Sequence, residues 1–385
     1  MTIQEFHEKK FQERDLHIIA LNVPFPPDYG GVIGTFYRIR ALKDEGIRIH
    51  LHCFEYGRGH PGELSSLCAT INYYRRSRSV FNLFSRLPYI VSTRRSVSLL
   101  KNLVRDKYPV FFDGLHTTYY LGHPLLADRK KTVRLNNIEH EYYYSLAVSE
   151  RNIFKKIYYF IESKKLKRYE KILSRADNLL AVSGKDLEYF RKKFRDCELI
   201  HPFHPFSDIT STPGSGDYIL YHGDLSVNEN RIVAEFLIRN VFSRVPYRCI
   251  IAGKQPSSRL ATLVKRHDNI SIAPDTGGEE MIRLIKNAHV NVLFSLNDSG
   301  FKIKLLYSLF AGRFCIINSP MAASTNLGSL CRLADTAESI LHEIHELWRV
   351  PFSEEAIAGR RMAMSPSFDN RANAGRIAGI VFPGK

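Results

Sequence analysis

One lysine stands where a cation is out of place. Residues 291–318, NVLFSLNDSGFKIKLLYSLFAGRFCIIN, read as a buried strand (291–295), a turn cluster (297–300), a helix (301–311) stopped by Gly312, and a further strand (314–317). Lys302 falls in the first turn of the predicted helix, where the backbone dipole favours anions. Its spacing to Leu305 and Leu306 also turns it toward the apolar side. An anion beside it accounts for both features. A strand-to-helix turn offers free N–H groups to a phosphate, and α/β proteins bind ligands at the carboxyl ends of parallel strands. The plainer reading is a lysine that reaches past the apolar face to solvent. A second set of residues has the types that move protons: His116 after the apolar run 109–114, and Glu139 and His140 after the run 131–138. A lone histidine at a strand end is more often structural.

The elements that must position these groups follow an α/β rhythm. Residues 17–22 form a strand, 23–31 a proline-fixed loop ending in Gly30 and Gly31, 32–45 a helix closed by Gly46, and 47–54 an alternating strand. Paired glycines let a phosphate or sugar approach the backbone. The pattern is not G-x-G-x-x-G, so an ordinary strand-to-helix turn explains it equally well. Strands at 109–114, 131–138, 178–183 and 197–202 continue the first half, with a long helical stretch at 151–175 whose apolar side carries Ile153, Phe154, Ile157, Tyr158, Ile161 and Leu166. Residues 203–217, FHPFSDITSTPGSGD, have linker composition. Strands at 218–223, 247–253 and 269–273 then alternate with helices up to the stretch described first, and the tail from Ala337 is helical. This alternation predicts an α/β fold of two Rossmann-like parallel-sheet domains facing a cleft. The expected division is 1–205, 206–365, and a last helix, 366–385, packing back toward the first domain.

Composition narrows the partners. The net charge of +16 favours an anionic one: nucleic acid, an anionic membrane surface or a phosphorylated small molecule. Residues 71–107 carry Arg75, Arg76, Arg78, Arg86, Arg94, Arg95, Lys101, Arg105 and Lys107 against one acid, Asp106, interleaved with Tyr73, Tyr74, Phe81, Phe84, Leu87 and Tyr89. Such a stretch suits nucleic acid or an anionic bilayer. The six cysteines (53, 68, 197, 249, 315, 331) have no metal-ligand spacing and read as reduced core residues, which implies a cytoplasmic setting and no metal site. No apolar run reaches the roughly 18 residues of a membrane span.

The order of these features resembles the GT-B glycosyltransferases, specifically the family-4-like group, over nearly the whole chain. The resemblance rests on the proline loop and glycine pair from Pro24 to Gly31; on Arg134, Asn136, Asn137 and Glu139, set as in R-x-H-N-x-E; on Gly223, Leu225 and Asn230; and on Gly300, Lys302, Lys304 and Gly312, set as in G-x-K-x-K-x-x-E-A-x-A-x-G. The sequence departs from the group at several points. Asn136 replaces a histidine, Ser299 and Tyr307 stand where two glutamates are usual, and Asp224 and residues 228–230 stand where the group carries an Arg and a Lys for the diphosphate.

The resemblance implies a glycosyltransferase of hexosyl or mannosyl type, retaining and metal-independent, with a nucleotide-sugar as co-substrate and no other cofactor. It would serve a glycan or lipid-linked acceptor in polysaccharide or cell-surface glycan assembly. His116 and Glu139 would be catalytic. Gly223, Asp224, Lys254, Pro274, Ser299, Gly300, Lys302, Lys304 and Tyr307 would hold the donor, and Gly30, Gly31, Asn137 and His140 the acceptor. The basic segments 71–107 and 151–175, the latter with nine Lys or Arg, add the expectation of a cytoplasmic protein held peripherally on the inner face of the cell membrane through them, with nucleic acid not a partner. The alternatives are an inactive GT-B scaffold binding a sugar or lipid partner, favoured by the missing glutamates, and a nucleic-acid binder, favoured by charge alone.

Overall fold

The computed structural model describes residues 14–383 except Arg78 and Arg151. Arg78 therefore lies outside the described part of the basic stretch, as does the start of the helical stretch at 151. Two parallel sheets carry the chain. The first holds β1 (Arg14–Ala20), β2 (Ile47–Glu55), β3 (Thr70–Arg75), β4 (Val110–Asp113), β5 (Lys131–Leu135), β6 (Asn178–Ala181) and β7 (Cys197–Leu199), in the order β3-β2-β1-β4-β5-β6-β7. The second holds β8 (Tyr218–His222), β9 (Arg248–Gly253), β10 (Ile270–Pro274), β11 (Val290–Leu293), β12 (Phe314–Ile317) and β13 (Arg332–Leu333), in the order β10-β9-β8-β11-β12-β13. In each sheet the order reverses once, between β1 and β4 and between β8 and β11. That is where a parallel sheet opens a crevice at its carboxyl end.

The helices of eight or more residues are α1 (Gly30–Asp44), α2 (Glu139–Ser149), α3 (Ile153–Tyr169), α4 (Gly184–Arg191), α5 (Asn228–Asn240), α6 (Gly278–Asn287), α7 (Ile303–Ala311), α8 (Ala337–Trp348), α9 (Glu354–Phe368) and α10 (Asn370–Val381). Apolar residues cover both faces of each sheet, as buried parallel strands require. Ile19, Phe112, Val133 and Leu179 face one core, and their neighbours Ile18, Phe111 and Leu180 face the other. The latter core also takes in Ala374, Ile377 and Val381, so α10 is built into the first sheet's layer although it follows the second in sequence. The two chain crossings between the sheets are tied together. The His204 imidazole Nε2 lies 2.7 Å from the Phe368 carbonyl, and Asn370 Nδ2 donates to the His204 carbonyl at 2.7 Å.

Several elements depart from the sequence expectation. β3 escapes a pattern search because it is an edge strand with one buried residue, Tyr74, and little apolar alternation. Arg94, counted among the surface cations, is buried; its guanidinium donates to the Leu21 and Ile90 carbonyls. α3 turns its apolar stripe outward. Ile153, Phe154, Ile157 and Ile161 are exposed, and the face packed on the protein carries Glu162, Ser163 and Leu166. Glu162 tolerates burial because it accepts from the Tyr89 N–H at 2.6 Å and pairs with Lys165 at 2.9 Å. No helix among the described residues is long and apolar enough to cross a membrane.

Neutral histidines are a constant of the interior. His17 Nδ1 lies 2.9 Å from His52 Nε2, and His52 Nδ1 lies 2.7 Å from the Tyr74 hydroxyl. Burial lowers the pKa of both, holds His201 and His204 near about 4 and His222 near about 3. The unfolded chain then binds protons that the folded chain refuses once pH falls below the ordinary histidine value, so stability is lost in that direction. Two buried acids with raised pKa, Glu139 and Asp186, act oppositely but are outnumbered. Urea denaturation should therefore show stability falling from pH 7 to pH 5. A flat or rising profile would mean that these imidazoles are not held neutral.

Candidate functional site

The carboxyl end of the first sheet gathers the proton-moving groups. β4 leads into Gly114, whose φ is 92° and on which a Cβ would meet both the Asn136 amide and the His116 imidazole at 3.3 Å. β5 runs through Asn136 and Asn137 into α2, whose first residue is Glu139. Glu139 is 3% exposed, and neither carboxyl oxygen finds a hydrogen-bond partner among the described residues. The His116 Nδ1, also without a hydrogen-bond partner, lies 3.7 Å from Glu139 Oε1. Burial raises the Glu139 pKa to about 8, helped by the nearby Asp186 carboxylate, although a helix start alone would favour the anion. Burial lowers His116 to about 3, and Arg94 adds to the effect. Burial thus favours the neutral form of both groups, a carboxyl that can donate a hydrogen bond beside an imidazole without charge.

The second sheet presents its own loop to this point. Residues 295–302 join β11 to α7, and Gly300 in that loop has φ of 67°. A Cβ there would overlap the Asn137 Oδ1 and the Asn136 carbonyl, so only glycine lets the two motifs meet. Ser299 is buried with its hydroxyl unpartnered. Asp186, near the start of α4, is buried on the same side, and its pKa is raised to about 6 by burial, while the charges of Lys185 and Lys302 oppose the rise. Sequence reasoning missed Asp186. Ser183 and Asp186 can be read as a helix start, and the Ser183 hydroxyl does accept from the Asp186 N–H at 3.1 Å, but nothing local says that the acid faces Glu139.

Lys302 requires a correction. α7 begins at Ile303, so Lys302 precedes the first turn with non-helical angles. Its ammonium donates to Asn297 Oδ1 and to the Ser299 carbonyl, both at 2.7 Å, and clasps the loop. Lys304 is held as firmly. Its Nζ donates to the Phe294 carbonyl at 2.9 Å and Asn230 Oδ1 at 3.3 Å, beneath the Tyr221 ring, and burial lowers its pKa to about 8. Both lysines feel Glu229, a residue that sequence reasoning passed over. The Glu229 carboxylate accepts from the Leu296 N–H (2.7 Å), Asn297 Nδ2 (2.8 Å) and the Ser295 hydroxyl (2.9 Å), so the acid is spent on holding the same loop.

The remaining candidates are placed unevenly. Gly223 lies against the Asn230 side chain, and Asp224 turns into its own loop to accept from Ser226. Lys254 forms an ion pair across the cleft with Asp28, which also pairs with Arg58 at 2.8 Å. Pro274 ends β10 on the surface, and Tyr307 packs edge-on to Phe206 on the hinge side, away from Lys304. His140 faces Glu170 at 3.4 Å and does not join His116 and Glu139. Gly30 and Gly31 open α1, which has no side-chain cap and no acid in its first turn, leaving N–H groups free at the cleft. They line a cavity of about 200 Å³ together with Asn136, Asn137, Phe301 and Ile303. A larger cavity of about 420 Å³ lies behind α1 at the hinge, lined by Tyr37, Phe206 and Phe368, and contains none of the proton-moving groups.

No protein-family model matches the chain. Among curated proteins it is 25% identical over 335 residues to an uncharacterized 44.6 kDa protein in the cps region of Klebsiella pneumoniae, covering 81% of this chain and 83% of that one. Its fold is shared with solved glycosyltransferases. Sucrose-phosphate synthase from Thermosynechococcus elongatus superposes with a TM-score of 0.68 at 15% identity, covering 96% of this chain and 98% of the other. TarM gives 0.69 at 8% identity, covering 97% and 99%. Anabaena HepE, solved with UDP and glucose, gives 0.64 at 10% identity, covering 95% and 98%. The two facing parallel sheets are therefore the GT-B architecture.

Two substitutions probe the geometry. Gly300→Ala should cost about 1–2 kcal/mol from the left-handed backbone alone and should push the domains apart, read as an increased radius of gyration in solution scattering; unchanged scattering would place the contact elsewhere. Glu139 with a raised pKa penalises the folded state increasingly as pH climbs from the unfolded carboxyl value toward about 8. Glu139→Gln removes that penalty. The melting temperature of the variant minus that of the parent should therefore grow from pH 5 to pH 8, and a constant difference would contradict the burial argument.

Proposed function

We propose that this protein is a glycosyltransferase that moves a sugar from a nucleoside-diphosphate donor to a glycan or lipid-linked acceptor hydroxyl. The observation that carries the reading is the meeting of the Asn137–Glu139 segment with Ser299 and Gly300 at the carboxyl ends of both sheets, where buried polar atoms of His116, Glu139, Asp186 and Ser299 are left without hydrogen-bond partners among the described residues. Unpaired buried groups are costly, and a sugar rich in hydroxyls satisfies such a set. The diphosphate would lie against the 295–302 loop with Lys302 and Lys304 beside it. During transfer the bond from the anomeric carbon to the diphosphate oxygen breaks, the acceptor oxygen bonds to that carbon, and the acceptor proton passes to the departing diphosphate oxygen, while the neutral His116 and protonated Glu139 hold the acceptor hydroxyl by hydrogen bonds. The cps-region relative supports polysaccharide assembly as the setting, and the HepE complex makes a UDP-sugar the first donor to test. Retention of configuration and independence from metal belong to the same reading and are tested by NMR of the product and by assay in chelator.

A second reading, an inactive scaffold, is favoured by Ser299 and Tyr307 at the positions of the two glutamates and by acids at 224 and 229. Slow hydrolysis of the donor separates the two, since an active site leaks its donor to water and a scaffold does not. Incubation with UDP-, GDP-, ADP- and CMP-sugars should release one nucleotide, and Glu139→Gln should abolish the release. Failure with every donor would sink the transferase reading. Lys302→Ala and Lys304→Ala should each weaken nucleoside-diphosphate binding by roughly 10- to 150-fold, the value of one charge-assisted bond, while leaving the free nucleoside unaffected. Equal loss for both ligands would remove the lysines from the phosphate site.

A further inference from the structure

α3 and the turn beside it expose an apolar surface that nothing in the described chain covers. Phe81 is 81% exposed, Phe84 84% and Phe154 79%, with Ile153, Ile157 and Ile161 also open to solvent. The α3 residues recur at the spacing of one helix face, a stripe that ordinarily faces a core. The Val80–Phe84 turn is fastened beside it by Lys165, whose Nζ donates to the Leu83 carbonyl at 2.8 Å. Tyr144 and Val148 of α2 extend the surface, the Tyr144 ring lying 6.4 Å from that of Phe160. The charged groups flanking the stripe are mostly cationic, with Glu150 at the end of α2 the acid among them. Lys155, Lys156, Lys164, Lys167 and Arg168 are exposed, and the single acid of α3, Glu162, is buried and paired. A protein partner of ordinary composition gains nothing from that cationic excess. An anionic bilayer matches both halves of the pattern, taking phenylalanines into its interface and lysines against its headgroups.

We propose that this face, built from the Val80–Phe84 turn, α3 and the end of α2, is a docking surface for an anionic lipid bilayer, and that it presents the acceptor side of the cleft to the membrane. The link to the cleft is α2. Its first residue is Glu139, and Val148 near its other end belongs to the exposed surface, about 13 Å further along the helix axis. A headgroup-linked sugar held at the bilayer surface is within that reach. This deepens the transferase reading by selecting a lipid-linked acceptor, while docking itself is measurable without catalysis.

The test uses the full chain with vesicles of phosphatidylglycerol and phosphatidylcholine, with pure phosphatidylcholine beside them. The protein should co-sediment with the anionic vesicles and be released as salt rises. Phe81→Ser/Phe84→Ser/Phe154→Ser should bind at least about tenfold more weakly per phenylalanine that inserts fully. Lys155→Gln/Lys156→Gln should lose binding selectively at low salt. All these residues are exposed, so melting temperature and donor hydrolysis in solution should match the parent. The proposal is overturned if the phenylalanine variant binds as the parent does or if neutral vesicles bind equally. It is also overturned if sedimentation velocity shows a dimer that the same substitutions dissociate, or if single-stranded RNA binds tightly and displaces the protein from vesicles. Vesicle binding that persists where every donor hydrolysis assay fails would reject the transferase and keep the docking surface.

Discussion

Gly300 rests directly against Asn136 and Asn137. This contact joins the carboxyl end of one sheet to that of the other, and the remaining features of the cleft depend on it. A side chain at 300 would hold the loop away, separating Ser299 from the Glu139 and Asp186 side. The contact is steric and permissive, so it contributes little stability. The holding is done elsewhere, by the Asp28–Lys254 pair, by Lys185 against Asp298 at 2.6 Å, and by the hydrogen-bonded crossing at His204, Phe368 and Asn370. Partly exposed ion pairs of this kind are worth little each, which suits an interface that opens and closes around a ligand.

Charge is handled differently on the two sides of the cleft. On the first sheet's side burial suppresses it: Glu139 is protonated at neutral pH, His116 is neutral, and Arg94 is the nearby cation whose hydrogen bonds go to backbone carbonyls. On the second sheet's side opposite charges are kept and spent on architecture, with Glu229 and Lys302 both fastening residues 295–299. Asp224 binds its own loop and Glu229 binds the next one, and the Lys302 and Lys304 ammonium groups are likewise taken up by acceptors of the same region. A dense part of the chain's excess charge lies on α3, outside the cleft, where six Lys or Arg stand against the one acid Glu162.

Much of this was legible in the sequence. Strand and helix alternation and the placement of His116, Glu139, Ser299 and Gly300 after strand ends follow from local apolar patterning and turn chemistry, which act over a few residues. What short-range patterning could not decide was direction. The stripe on α3 has the spacing of a core-facing helix, yet the opposite face is buried, because the Tyr89 N–H and Lys165 satisfy Glu162 there and the Ser163 hydroxyl donates to the His140 carbonyl of α2. Lys302 and Lys304 differ by two positions, and their roles turn on where α7 starts, which is set by the Gly300 approach and by acceptors from Asn297, Asn230 and Phe294, up to 74 residues distant. Asp186 and Glu229 read locally as helix-start acids. Only the pairing of neighbouring strands within each sheet, β5 with β6 and β8 with β11, places the first beside Glu139 and the second against the loop before α7, because desolvation and hydrogen bonding there depend on neighbours that are remote in the chain.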